Sequence, residues 1–192
     1  MEVLLESKRL VLRRLAEADL DNLVELDSDP DVMRFLTGGK PTPRETIQSE
    51  ILPRILREYR HGAPHGRWAA DEKSSGEFLG WFGLRQQPGT RADEVALGFR
   101  LRKSAWGKGY ATEGSVALID LCFTELGVER VFAETMAVNI ASRRVMEKAG
   151  MKLALTFHLT WDDPIDGSEL GEVEYEILKA EWERRPRISA GC

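Results

Sequence analysis

The sequence predicts a mixed α/β domain built around one mostly antiparallel sheet. Three observations carry that prediction. The apolar spacing is helical up to Tyr59 and becomes strand-like from Gly66 onward. The elements then read as strand, helices, three antiparallel strands, helix, strand, helix, strand, strand, an order that suits helices packed on a single sheet. The length, 192 residues, suits one domain with a core large enough to need no staples.

The elements follow in order. "SKRLVLRRL" alternates around Leu10 and Leu12 and reads as a strand. Leu20, Leu23, Val24 and Leu26 have helical spacing, with Asp19 in N-cap position, and "DPDVMRFL" is a second short helix with Pro30 in its first turn. "TPRETIQSEILPRILREYR" continues as helix, with Thr42 as cap, Pro43 at the first helical position and Glu45 completing a capping box; Pro53 should kink or interrupt it. "GRWAAD" and "FLGWFGLR" form a hairpin across "EKSSG". "QQPGTRAD" is a loop. "EVALGFRL" alternates, Val95, Leu97, Phe99 and Leu101 facing one side and Glu94, Ala96, Gly98 and Arg100 the other. A helix follows "KSAWGKGYATEG" and runs to Leu126, with Gly127 ending it. "ERVFAETM" is a strand, "NIASRRVMEKAG" a helix capped by Asn139 and stopped by Gly150, and "MKLALTFHLTW" and "EVEYEILK" are the last strands. Residues 1–183 read as one domain and residues 184–192, "RRPRISAGC", as a disordered tail.

Composition narrows the function classes. The net charge of −5 does not favour a nucleic-acid partner. Two cysteines, Cys122 in an apolar run and Cys192 at the end, make neither a disulfide framework nor a zinc pattern, and no metal is expected. His158 has no ligand-spaced partner, and Cys122 reads as core. The opening "MEVLLESKRL" lacks the charge and apolar run of a signal peptide, and no stretch approaches the ~20 apolar residues of a membrane span. A cytoplasmic protein without a membrane partner is the expectation.

The glycine-rich stretch from Lys103 to Gly114 joins a strand to a helix N-terminus. The first backbone N–H groups of a helix lack internal partners and carry partial positive charge, and glycines let an anion approach them. Lys103 and Lys108 add charge, so the implied ligand is a phosphate or pyrophosphate. The alternative is that the glycines only turn the chain. Neither nucleotide pattern is met. Lys108 is followed by Gly109 rather than Ser or Thr, and Gly107 and Gly109 are followed by Thr112 where the dinucleotide motif needs glycine.

"WGKGYATEG", followed by "NIASRRVMEKAGM", resembles the GNAT superfamily of acetyl-CoA-dependent N-acetyltransferases, most of all the branch that acetylates ribosomal-protein N-termini. "RLVLRRLAEADLDNLVELDSDPDVMRFL" and "GEFLGWFGL" resemble that branch too, so the likeness runs from about Leu10 to Trp182. It implies a GNAT-like fold with splayed central strands and helices on both faces. It implies acetyl-CoA as cosubstrate, its pyrophosphate on Trp106, Gly107, Lys108, Gly109, Tyr110, Ala111 and Thr112. Ser104 stands where the family often has Gln or Arg, with Arg102 and Lys103 just before it; that weakens side-chain help and leaves the backbone cradle. The pantetheine arm would enter between Glu94–Leu101 and Arg130–Met136 and pair with the first strand, where Gly98 allows a bulge or is a packing glycine.

The implied reaction is direct attack of a primary amine on the thioester, the acceptor being a peptide N-terminus or a small molecule. Neutralising a lysine-type amine at pH 7 costs roughly 4–5 kcal/mol and an α-amine about 1 kcal/mol, so a strong base is optional for the latter. Glu94 is the candidate base, two residues before Ala96, where relatives often carry an acid; a solvated strand-end carboxylate is the other reading, and Glu134 is a second candidate. Backbone N–H groups near Phe99, Arg100 and Leu101 would hold the oxyanion. By resemblance Asn139 contacts the pantetheine amides and Ser142 points its hydroxyl at the sulfur as proton donor; helix capping is the local alternative. Arg143 would reach the phosphates or lie on the surface. The acceptor cleft should draw on residues 29–43, 86–93 and 160–171, with Trp68, Trp81 and Trp161 either lining it or in the core. A homodimer is compatible with the resemblance. The competing class is a non-catalytic acyl-CoA-binding or interaction module, to which the missing acid at Ala96 lends weight.

Overall fold

A computed structural model describes residues 2–59 and 65–185. Its centre is one eight-stranded sheet of order β1-β2-β3-β4-β5-β6-β8-β7. The strands are β1 (Val3–Glu6), β2 (Leu10–Arg14), β3 (Gly66–Glu72), β4 (Phe78–Arg85), β5 (Glu94–Leu101), β6 (Arg130–Met136), β7 (Lys152–Phe157) and β8 (Glu172–Leu178). Every neighbouring pair is antiparallel except β5 and β6, which run parallel.

The helices are α1 (Leu20–Ser28), α2 (Pro30–Thr37), α3 (Arg44–Thr46), α4 (Leu52–Glu58), α5 (Tyr110–Thr124), α6 (Ile140–Lys148) and α7 (Lys179–Glu183). Strand alternation sorts them onto two faces. On one, Phe82 meets Phe99, and Gly114 of α5 lies so close to Phe82 that a Cβ would come within 2.3 Å of the ring. On the same face Tyr175 accepts from Arg143 of α6 at 3.2 Å and donates to Glu147 at 2.9 Å. The opposite face carries α1. There Arg13 bonds Asp19 at 2.8 Å, and Arg100 pairs with Asp27. The core gathers Leu10, Leu12, Trp68, Phe82, Leu118 and Ile177, all fully buried.

Two elements are added to the expected order and three expectations change. The strand β1 and the helix α7 were not read in the sequence. β1 is too short to show alternation and is held by pairing with β2; α7 is docked by Trp182, which donates to Asp120 at 2.7 Å and packs on Phe123. The Thr42–Glu45 capping box does not form, because Thr42 donates to Asp27 at 3.2 Å and the helix begins at Arg44. Asp19 sits at the cap position of α1 without capping it, its carboxylate being taken by Arg13 and the Ala16 N–H. α5 ends at Thr124, two residues early, though Gly127 takes the expected left-handed turn at φ 65° and Val128 N–H bonds back to Cys122 O. Pro53 acts as expected: a π-helical stretch, Ile47–Ile51, separates α3 from α4 just before it. Of the predicted tail, residues 186–192 lie outside the described residues, while Arg185 is placed, donating to Ala149 O at 3.1 Å.

Candidate active site

The sheet opens between β5 and β6. The two strands pair through Glu94–Arg130, Val95–Val131 and Ala96–Phe132 and no further. Beyond Ala96, β5 stays with β4 as far as Leu101, and β6 stays with β8 as far as Met136. Arg102 N–H bonds Leu79 O at 2.8 Å, which fixes the alternation of this antiparallel pair. The N–H groups of Arg100 and Gly98 therefore point to β4, and those of Phe99 and Leu101 point into the gap. Leu101 O is taken by the Trp106 indole at 2.8 Å. The free edge of β5 can accept one more extended chain and aim N–H donors at it.

The glycine loop closes the mouth of this gap. Gly107 and Gly109 have φ of 72° and 84°, values only glycine adopts freely, and Gly109 is the residue before α5. A Cβ on Gly107 would touch nothing within 4 Å, so the loop surface is open to a ligand. A clamp from the far edge of the sheet holds it. Arg9 donates to Lys108 O at 2.9 Å, stacks on the Tyr110 ring at 4.3 Å and pairs with Glu113 at 2.6 Å. Glu113 also accepts from Ser7 and from the Arg9 N–H, each at 2.7 Å. Burial works to raise the Glu113 carboxyl, and these bonds outweigh it, leaving it below the usual glutamate value. Tyr110 hydroxyl bonds Glu72. Arg9 and Glu113 escaped sequence reasoning because the contact spans a hundred residues. Ala111 and Thr112 lie in the first turn of α5.

Three other expected cofactor residues are already engaged. Arg100 pairs with Asp27 and lies 5.3 Å over Trp81, and its N–H points to β4, so unlike Phe99 and Leu101 it offers the gap no donor. Arg102 bonds Asn22 at 3.1 Å and Glu25 at 2.8 Å, on the α1 side. Arg143 is a correction: it is half-buried and donates to Ala137 O at 2.9 Å and to Tyr175, so it neither reaches phosphates nor lies free on the surface.

At the start of α6, Asn139 Oδ1 caps the helix by accepting from Ser142 N–H at 3.2 Å, and its Nδ2 donates to Thr135 at 3.0 Å. Both halves of the amide thus serve the fold. Ser142 uses its backbone there, and among the described residues its half-buried hydroxyl makes no hydrogen bond.

Glu94 is placed differently from its expected role. It lies at the closed end of the seam, where Arg130 contacts it at 3.5 Å and also holds Glu174 and Glu176. Glu94 does not line the neighbouring cleft; Glu134 does. This cleft of about 430 Å³ lies on the α1 face, with Arg67, Trp81, Gly83, Ala96, Gly98 and Glu134 among its lining. Gln87 donates to Glu134 at 2.9 Å. Of the three loops expected to wall the cleft, only Gln86 and Gln87 take part; His65, β3, β4, β5, Glu134 of β6 and the end of α4 supply the rest. Trp81 lines it, whereas Trp68 is fully buried in the core. Cys122 is buried, which pushes its thiol up to about 12 and makes it inert. Among the described residues no group of three or more His, Cys, Asp or Glu is placed to hold a metal, and no helix is long and apolar enough to cross a membrane.

Known proteins are similar to this chain in sequence and in fold. The family model for the acetyltransferase (GNAT) domain matches residues 9–152. The FsC-acetyl coenzyme A-N(2)-transacetylase of Aspergillus fumigatus is 37% identical over 193 aligned positions, covering 96% of this chain and 80% of that protein. The aminoglycoside N(6′)-acetyltransferase type 1 of Klebsiella pneumoniae is 26% identical over 152 positions, 74% of each chain. In three dimensions, RimL, a ribosomal L7/L12 α-N-protein acetyltransferase solved with coenzyme A, matches with a TM-score of 0.74 at 18% identity, over 92% of this chain and 98% of its own. The open seam, the glycine loop and these matches agree: the chain belongs to the GNAT acetyltransferase family and is an N-acetyltransferase.

Proposed function

We propose that this protein transfers the acetyl group of acetyl-CoA to a primary amine by direct attack within a ternary complex. The observation that carries the reading is the seam that opens beyond Ala96 between the Gly107–Gly109 loop and a cleft containing Glu134. The loop and the first turn of α5 offer backbone N–H groups to a pyrophosphate, and the free edge of β5 offers a strand partner to pantetheine. In this reading the N–H groups of Phe99 and Leu101, which face the gap, hold the thioester oxygen as it gains charge. Ser142, with its uncommitted hydroxyl at the start of α6, is the donor to the departing thiolate.

Glu134 replaces Glu94 as the base in this reading. Glu134 borders the cleft, while Glu94 is held by Arg130. The relatives support amines as acceptors, and their acceptors differ: an N(2) position in one, an aminoglycoside in another, a protein α-amine in a third. A cytoplasmic site of action accords with an acetyl-CoA substrate. The test is thiol release from acetyl-CoA against a panel of amino acids, peptides, polyamines and aminoglycosides. Release that rises with amine concentration supports the reading; coenzyme A binding with no amine-dependent release defeats it. Within the same assay Glu134→Gln should lower kcat about 10²-fold or more at pH 7, with the defect shrinking as pH rises and the amine deprotonates unaided.

A further inference from the structure

Resting on the amine-transfer reading, we infer that the acceptor is an amine of the amino-acid type, with its carboxylate bound by Arg67 and its amine directed toward Glu134.

The cleft floor is a row of three residues on adjacent strands. Arg67 is opposite Gly83, and Gly83 is opposite Gly98. With strands about 4.8 Å apart, the row spans roughly 10 Å from Arg67 to the open edge of β5. The Arg67 side chain runs along it: a Cβ built on Gly83 would lie 3.5 Å from Arg67 Cγ. A Cβ on Gly98 would meet nothing within 4 Å, so the space above Gly98 is empty. Glycine at both positions leaves a trough with an arginine at one end. At the other end the seam has opened, and Glu134 stands on the far strand.

Arg67 differs from the other half-buried arginines. Arg13 has Asp19 and Asp71, Arg100 has Asp27, Arg102 has Glu25, and Arg130 has three glutamates. Among the described residues Arg67 has no ion pair and its guanidinium donates no hydrogen bond; it stacks 5.3 Å over Trp81, in the cleft wall. Residues 60–64, which precede β3, contain no Asp or Glu. Burial pulls this guanidinium below its ordinary value; Glu58, which also borders the cleft without forming an ion pair to Arg67, opposes that, and Arg54, Arg100 and Arg85 act with burial. A desolvated cation without a partner is costly, and a planar guanidinium matches a carboxylate through two parallel hydrogen bonds. The trough therefore offers a cation at one end and a carboxylate at the other, the complement of a zwitterion. Polyamines and aminoglycosides, cationic throughout, would put a charge against Arg67.

The test uses matched acceptors that differ by one carboxylate, such as phenylalanine with 2-phenylethylamine and other amino acids with their decarboxylated amines. The readout is kcat/KM for each, in the full chain and in Arg67→Gln and Arg67→Lys. The expected result is a preference for the carboxylate member that falls by about 10–100-fold in Arg67→Gln and less in Arg67→Lys. Gly98→Val supplies a second arm. The position has space and no left-handed φ, so the variant should fold and raise KM for the acceptor. Wild-type transfer with no preference in any pair, or an Arg67→Gln loss equal for both members, overturns the inference while leaving the transfer reaction standing. No release with any amine removes the reaction and this inference with it.

Discussion

The two ends of the β5–β6 seam are built from opposite materials. At the closed end, Arg130 gathers Glu94, Glu174 and Glu176 across three strands, and the strands pair in register. At the open end, among the described residues, the Phe99 and Leu101 N–H groups have no strand partners and the Ser142 hydroxyl has no bond, and glycines stand at positions 98, 107 and 109. One end spends its polar groups on the fold; the other leaves them for ligands. The Arg130 cluster ties three carboxylates to one cation, whereas Glu134, in the cleft, is bonded among the described residues by Gln87 alone.

The largest expected effect sharpens that contrast at the open end. Ser142→Ala should lower kcat about 10²-fold or more with little change in acetyl-CoA affinity if the hydroxyl protonates the leaving thiolate. The cap itself uses the Ser142 backbone, so melting temperature should barely move. A turnover within twofold of wild type, on any acceptor that reacts, would remove Ser142 from the mechanism.

Next comes the loop. Gly109→Val forces a β-branched residue to a φ of 84° and brings a Cβ within 3.4 Å of Arg9, so coenzyme A binding should weaken at least tenfold. Titration calorimetry on the folded variant reads this directly, and unchanged affinity would mean that the loop does not cradle the ligand.

The closed end should respond in stability. Arg130→Gln leaves three carboxylates facing one another. The cost falls between the ~1 kcal/mol of a surface pair and the ~3–5 kcal/mol of a buried one, so about 2 kcal/mol at neutral pH. The sign with pH follows from Glu174. Burial already raises its carboxyl and Arg130 opposes that, so losing Arg130 raises it further. A raised carboxyl favours the fold below the unfolded value near 4.3 and loses that contribution as pH rises through its own. Denaturation of the variant should therefore come closer to wild type at pH 4–5 than at pH 7; an equal gap at both would show the cluster is not electrostatically coupled.

The same contrast explains what was legible in the sequence. The glycine loop, the Asn139 cap and the strand alternation are local patterns, and all formed. The splayed seam was available only through resemblance. The Glu94–Arg130 contact was not legible because Arg130 lies thirty-six positions away and meets Glu94 only through parallel register. Arg67 was passed over for the same reason, since nothing in "GRWAAD" says that two glycines on other strands will line up before it.

The smallest expected effect is therefore at the residue the sequence pointed to first. Glu94→Gln removes one of three carboxylates from Arg130, which keeps Glu174 and Glu176. The contact replaced is the longest of the three, at 3.5 Å, and glutamine keeps its shape. The stability change should stay within about 1 kcal/mol, and kcat should fall by no more than about threefold. The decisive measurement is the pH–rate profile beside that of Glu134→Gln. A base lost from the cleft makes the rate rise with pH until the amine deprotonates unaided, steepening the profile. A carboxylate lost from the closed end leaves the profile parallel to wild type. If Glu94→Gln steepens it and Glu134→Gln does not, proton removal runs through the closed end of the seam, and the division between a structural end and a chemical end is wrong.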